Sequence, residues 1–254
     1  MVGMNMTHKP TERVLNILNL LSITPKGLTL TEISEAISIP KSTLYPIMQT
    51  MLERNFVYLE KNSLKYSMGI SAFCIGASYS QNKHMIDFIQ KIMKNIVADI
   101  DETCQMGVLD GSDVLYVLKE DPVKDMDIRL ISHVGKRLPA YCTALGKALL
   151  SGYKIEKIKS LYPDGLKAVT KNTITDFNVL EAQLEKIRQT NVSLEVEEVT
   201  KFLRCYAVPL ASKGKVIGAI SISIPTFRAT EKKNKLAIEL LLKAKEKIDS
   251  VNYN

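Results

Sequence analysis

Five side chains in the run Lys41-Ser42-Thr43-Leu44-Tyr45-Pro46-Ile47-Met48-Gln49 are of the types that bond nucleic acid. Lys41 and Ser42 suit phosphate oxygens, Gln49 suits a bidentate pair with adenine, and Thr43 suits either phosphate or base edge. Lys41, Tyr45 and Gln49 are spaced by four, which lines them up on one helical face beside Ser42 and Thr43. Leu44, Met48, Met51 and Leu52 repeat as an apolar stripe on another. A solvated face on an ordinary helical hairpin would have the same spacing, so the flanking elements must decide. Phe56–Leu59 and Leu64–Ser67 read as two short strands around the polar turn Glu60-Lys61-Asn62-Ser63. Lys61, Asn62 and Lys65 would meet a DNA backbone from that hairpin.

The elements that position this chemistry are legible too. Thr29 and Glu32 have the spacing of a capping box, in which each side chain satisfies a free amide at a helix start. Ile33, Ala36 and Ile37 continue that helix, and Ile39-Pro40 ends it, because the residue before proline avoids the α region. Pro40 suits the first position of the next helix, where its missing N–H costs nothing. Helix, tight turn, helix and hairpin from Thr29 to Gly69 spell a winged helix-turn-helix, whose second helix enters the major groove. Pro46 breaks the pattern. It lies past the first turn, removes the bond to the Ser42 carbonyl and predicts a kink, at a cost of about 3 kcal/mol if unrelieved.

The chain of 254 residues has room for two domains. It is 46% hydrophobic and 24% charged, the composition of an ordinary globular protein. No apolar run nears the roughly 18 residues that span a bilayer, and the N-terminus lacks a signal peptide's apolar core, so a cytoplasmic protein is expected. The four cysteines are scattered without a C-x-x-C pair, as free thiols in a reducing compartment would be. A formal charge of +7 permits nucleic-acid binding. It is not concentrated on the motif: residues 1–82 hold seven Lys/Arg against five Glu, a net of +2.

A first helix is expected over residues 12–24, with Val14, Leu15, Leu18 and Leu21 inward, and a linking helix over Ile70–Ser80. Beyond it come a long amphipathic helix (Lys83–Glu102), strands at Thr103–Leu109, Val114–Lys119 and Asp127–His133, and helices at Thr143–Ser151, Ile155–Leu161 and Asp176–Thr190. Strands Leu203–Leu210 and Lys215–Ile224 and a helix from Thr230 to Val251 complete the chain. An antiparallel meander with helices to one side makes an α+β domain. In Val216–Ile224 the alternation puts Ile217, Ala219, Ser221 and Ser223 on one face and Val216, Gly218, Ile220, Ile222 and Ile224 on the other. The second face reads as core, while the first has the small and hydroxyl groups of a pocket wall. Leu203 and Cys205 share a face nearby. Thr143, Ala144 and Leu145 open a helix whose free amides favour a carboxylate or phosphate.

Enzyme chemistry finds little to build on. There are three histidines, His8, His84 and His133, and no G-x-S-x-G, P-loop or G-x-G-x-x-G. Cys142, Cys205, Glu195 and His133 lack any local metal-ligand spacing. No cofactor or metal is expected.

Ile39-Pro40-Lys41-Ser42-Thr43-Leu44-Tyr45-Pro46-Ile47-Met48-Gln49 and Tyr66-Ser67-Met68-Gly69 resemble the recognition segment and wing closure of IclR-type bacterial transcriptional regulators. Gly135 to Leu150 resembles that family's central motif. Glu197-Glu198, Leu203–Pro209 and Gly218–Ser223 resemble its C-terminal signature. The resemblance runs from about Glu12 to the C-terminal helix. It implies an N-terminal winged helix-turn-helix domain (1–69), a linker helix (70–82) and a C-terminal GAF/PAS-like effector-binding domain with an antiparallel sheet (83–254). It implies a pocket for a small organic acid formed by Leu130, Leu138, Ala144, Leu145, Glu195, Leu203, Cys205, Ser221 and Ser223. Glu195 falls where relatives often have Asp, and would repel an anion unless protonated or paired. A homodimer or homotetramer that binds operator DNA, more often as repressor than activator, is the implied assembly. The alternative is a small-molecule sensor whose helix-turn-helix contacts protein.

Overall fold

A computed structural model describes residues 8–79, 83–123 and 131–251. The chain forms two compact units, residues 1–83 and 84–254.

The first unit contains α1 (Lys9–Ser22), β1 (Leu28–Thr29), α2 (Leu30–Ala36), α3 (Lys41–Glu53), β2 (Val57–Glu60), β3 (Lys65–Met68) and α4 (Ile70–Tyr79). The capping box at α2 is formed: the Thr29 amide donates to Glu32 Oε2 at 2.7 Å, and the Glu32 amide donates to Thr29 Oγ1 at 3.3 Å. The turn after α2 passes through Ser38 at φ 54°, and the Ser34 hydroxyl ties it by donating to the Ile39 carbonyl. Pro40 is the cap of α3, one place before the first helical residue where the spacing put it. α3 runs unbroken across Pro46. Leu44, Met48 and Met51 join Ile17, Leu21, Ile33, Ile39, Val57 and Tyr66 in the core. Leu15, expected inward, is exposed, and Ile17 takes its place. The strand β1, absent from the sequence reading, pairs antiparallel with β3 to make a three-stranded sheet in the order β1-β3-β2. The wing loop is Lys61–Leu64, one residue later than expected, with Leu64 left-handed at φ 53°. Ile70, Phe73 and Ile75 on α4 are exposed.

The second unit is an antiparallel sheet in the order β6-β5-β4-β9-β8-β7. Its strands are β4 (Thr103–Asp110), β5 (Asp113–Glu120), β6 (Arg137–Pro139), β7 (Ser193–Val196), β8 (Leu203–Ser212) and β9 (Lys215–Pro225). Its helices are α5 (Lys83–Ile100), α6 (Ala144–Leu150), α7 (Ile155–Leu161), α8 (Phe177–Thr190) and α9 (Glu231–Asp249). Helices cover both faces of the sheet, which corrects the expected one-sided layer. Ile89, Met93 and Ile96 of α5 and Leu241 and Ile248 of α9 pack on Ile220, Ile222 and Ile224. Leu145, Leu149, Ile158, Leu180 and Leu184 of α6–α8 pack on the other side with Ala207 and Ala219. Of the expected strand Asp127–His133, residues 127–130 lie outside the described set, and 131–133 form no strand. The edge position belongs to β6, which pairs with β5.

β9 alternates as read, except at its start. The register with β8 slips between Leu210↔Gly218 and Ala211↔Val216, so Ile217 is an extra residue, a β-bulge. Val216 therefore moves to the side of Ala219, contrary to the simple alternation, and Ile217 is left exposed.

Candidate functional sites

Two motifs of the C-terminal unit meet at a buried ion pair. Thr143 caps α6 by accepting from the Gly146 amide at 2.9 Å. Gly146 has no room for a side chain, because a Cβ there would collide with the Ala140 carbonyl. This close approach seats α6 against the sheet and buries Lys147 completely. The Lys147 ammonium donates to Glu198 Oε1 and, at 2.8 Å, to Gln183 Oε1 on α8. Three residues before Glu198, Glu195 projects from β7 and is 3% exposed. Its Oε1 accepts from the backbone amides of Glu198 and Val199. The single segment 195–198 thus grips α6 with one carboxylate and turns the other toward a cavity.

That cavity is lined by Leu138, Thr143, Ala144, Leu145, Glu195, Leu203, Cys205, Ser221 and Ser223, with Gln105, Tyr116, Ile131, Ser132, Val199 and Thr200. All the pocket residues implied by the resemblance lie here except Leu130, which falls outside the described residues. Ser221 and Ser223, which on an uncovered strand would face water, are buried. Ser223 Oγ accepts from the Cys205 thiol at 3.3 Å, and Gln105 and Ser132 hydrogen-bond at 2.8 Å. Burial pushes the Glu195 carboxyl up to about 7, against the opposing pull of the Glu198 amide. It also lifts the Cys205 thiol, with Glu195 adding to the effect, and the Tyr116 hydroxyl. Glu195 is therefore paired with backbone amides and carries its proton about half the time at neutrality, which lessens the repulsion a bare carboxylate would offer an anion. The cavity has a volume of about 30 Å³. Gln105 and Tyr116 escaped the sequence reading because they come from strands whose pairing it did not fix. Gln105 sits opposite Ser221, and Tyr116 one strand further out, opposite Gly107.

On α3, Lys41, Ser42 and Tyr45 are exposed, and Thr43 and Gln49 half-buried. At about 100° per residue, Ser42, Pro46 and Gln49 lie opposite the buried Leu44, Met48 and Met51, with Lys41 and Tyr45 on one flank and Thr43 on the other. The wing carries exposed Lys61 and Asn62 and half-buried Lys65. Among the described residues no group of three or more His, Cys, Asp or Glu could hold a metal, and no helix is long and apolar enough to cross a membrane. His133 is exposed, its Nδ1 3.0 Å from the Val134 carbonyl oxygen.

A winged helix-turn-helix joined to an α+β unit with an internal pocket is the architecture of a DNA-binding transcriptional regulator. Comparison with known proteins gives the same class. Residues 10–60 match the IclR helix-turn-helix domain, and residues 77–250 match the C-terminal domain of bacterial transcriptional regulators of the IclR type. The chain belongs to the IclR family of bacterial transcriptional regulators. It is 33% identical over 241 residues to the HTH-type transcriptional regulator KdgR of Escherichia coli, covering 94% of this chain and 90% of that one. An IclR transcriptional regulator from Alicyclobacillus acidocaldarius has the same fold, with a TM-score of 0.87, 23% identity, and 96% and 98% of the two chains covered. So has an IclR homologue from Microbacterium hydrocarbonoxydans solved with 4-hydroxybenzoate, with a TM-score of 0.83, 21% identity, and 94% and 96% covered.

Proposed function

We propose that this regulator is a repressor whose operator affinity is set by a small organic acid held in the pocket between α6 and the strands β4, β8 and β9. The observation that carries the reading is the convergence of Leu138, Ala144, Leu145, Glu195, Leu203, Cys205, Ser221 and Ser223, from separate parts of the chain, on one cavity. Its walls mix aliphatic groups with a few hydroxyls, which is the usual make-up of a small-molecule site. The Microbacterium homologue solved with 4-hydroxybenzoate supports an acid as the ligand class. A ligand that favours one conformation of the protein shifts the population toward it, and operator affinity with it. The protein works as a cytoplasmic binding protein rather than a catalyst.

Anisotropy of labelled DNA from upstream of the protein's own gene, with unrelated DNA as control, tests this reading against a panel of small carboxylic acids that includes 4-hydroxybenzoate. One acid should change specific binding, and Ser221→Val should blunt that change while sparing DNA affinity without acid. Specific DNA binding that no acid alters would overturn the pocket assignment.

One winged helix reads only a short half-site, so a homodimer or homotetramer belongs to the same reading. The apolar side chains Ile70, Phe73 and Ile75 on α4, with Phe73 71% exposed, are the surface a second copy would cover. Phe73→Glu should halve the mass measured by light scattering; an unchanged mass would move the interface elsewhere.

A further inference from the structure

The recognition helix carries an exposed proline on the side away from its buried residues. Pro46 lies in the middle of α3, opposite the buried Leu44, Met48 and Met51, between Ser42 and Gln49 on the same stripe. Tyr45, on the flank of that stripe, has 53% of its surface exposed. Pro46 therefore sets one apolar ring on the face away from the core, among the polar side chains of Ser42, Gln49 and, at the end of the helix, Glu53. One turn on, Thr50 is tied back, its hydroxyl donating to the Pro46 carbonyl at 3.0 Å. An interior helical proline is unfavourable, and nothing in the core requires it, because its ring faces away from every buried residue of the helix. Local choices that oppose the fold concentrate at functional positions.

The major groove offers one apolar group to such a surface, the C5-methyl of thymine. We infer that Pro46, with Tyr45 on the flank of its stripe, reads a thymine methyl near the middle of each operator half-site, so that one base is specified by apolar contact. This rests on α3 being the helix that enters the groove. It also gives the proline a purpose: a ring without an N–H presents carbon to the methyl, where a long polar residue would have to be desolvated.

Removal of the methyl alone is the direct test. Sequences selected by the full-length protein from a random library give the half-site. Each thymine in it is then replaced singly by deoxyuridine, which keeps every hydrogen-bonding group. For the wild type, one position per half-site should lose about fourfold in affinity, the worth of one buried methyl-sized group. For Pro46→Gln, deoxyuridine and thymine should bind alike at that position. That variant restores the helical amide and should be no less stable, so misfolding does not confuse the result. Equal binding of every deoxyuridine duplex by the wild type overturns the inference. So does a penalty that persists unchanged in Pro46→Gln, since the methyl would then be read by another residue. Selection of no sequence at all would overturn both the inference and the sequence-specific reading of α3, which distinguishes that failure from the other two.

Discussion

Glu195 sits in an environment that its type does not suggest. Its carboxyl is held near 7 by burial, against 4.5 ordinarily, so the folded protein keeps a proton that the unfolded chain releases. Below about pH 4.5 both states are protonated and this group is neutral to stability. As pH rises from there toward 7 the unfolded state is increasingly favoured, by about 3 kcal/mol in all at the full shift. Urea unfolding at pH 5 and pH 8 should therefore show a loss in the wild type that is smaller in Glu195→Gln, with Glu102 and Glu198, also raised by burial, accounting for part of the remainder; equal pH dependence in the two would mean Glu195 is charged in the fold. Lys147 presents the opposite case, a cation whose buried charge depends on Glu198. Lys147→Met strands that carboxylate and should cost about 3–5 kcal/mol. The double variant Lys147→Met, Glu198→Leu should recover a large part of the thermal stability, since an apolar pair needs no counter-charge. If the double variant melts no higher than the single, the ion pair is not what Lys147 contributes.

At the level of elements, α6 shows why a short motif is so constrained. Thr143 starts it, Gly146 lets it touch the Ala140 carbonyl, and Lys147 anchors it across to α8 and the segment after β7. Gly146→Ala keeps good helix propensity yet should destabilise by about 1–3 kcal/mol through overpacking, measurable as a shift in urea midpoint. A neutral result would show that the 140–142 turn yields easily. The same elements show what the sequence could and could not reveal. Helix starts were legible at Thr29, Thr143, Asp176 and Thr230, because a cap is a local bond between neighbours in the chain. The strand β7 was not, because Ser193 and Glu195 are polar residues on a buried face, the reverse of the usual alternation. The bulge at Ile217 was equally hidden, since it exists only in the pairing of β9 with β8. The pocket residues from the motif segments were recognised by resemblance, whereas Gln105 and Tyr116 required the strand order itself.

For the molecule as a whole, the modest charge of the DNA-binding unit sets its physical behaviour. Residues 1–82 carry a net +2, so we propose that phosphate contacts rest on a few placed cations such as Lys41, Lys61 and Lys65 rather than on a broad field. Affinity for operator should still fall steeply between about 50 and 200 mM salt, since each neutralised phosphate releases counterions. Lys41→Ala should weaken operator and unrelated DNA alike and flatten the salt slope by about one unit. Gln49→Ala should instead narrow the ratio between the two DNAs. If it leaves that ratio unchanged, the base-reading face lies elsewhere on α3.

The alternation of β9 has a consequence for how such a protein can change over generations. Ala219, Ser221 and Ser223 face the side of α6, with the two serines on the pocket, while Ile220, Ile222 and Ile224 hold the core shared with α5 and α9. One strand thus carries two separate inheritances. If the pocket holds the ligand as we propose, substitutions at the serine positions change its lining while the three isoleucines keep the opposite core intact. Insertion or loss of one residue in that stretch would exchange the two sets and forfeit both at once. Descendants with altered ligand preference should therefore differ from this chain at 221 and 223 by replacement, and hardly ever by a change in the length of the strand.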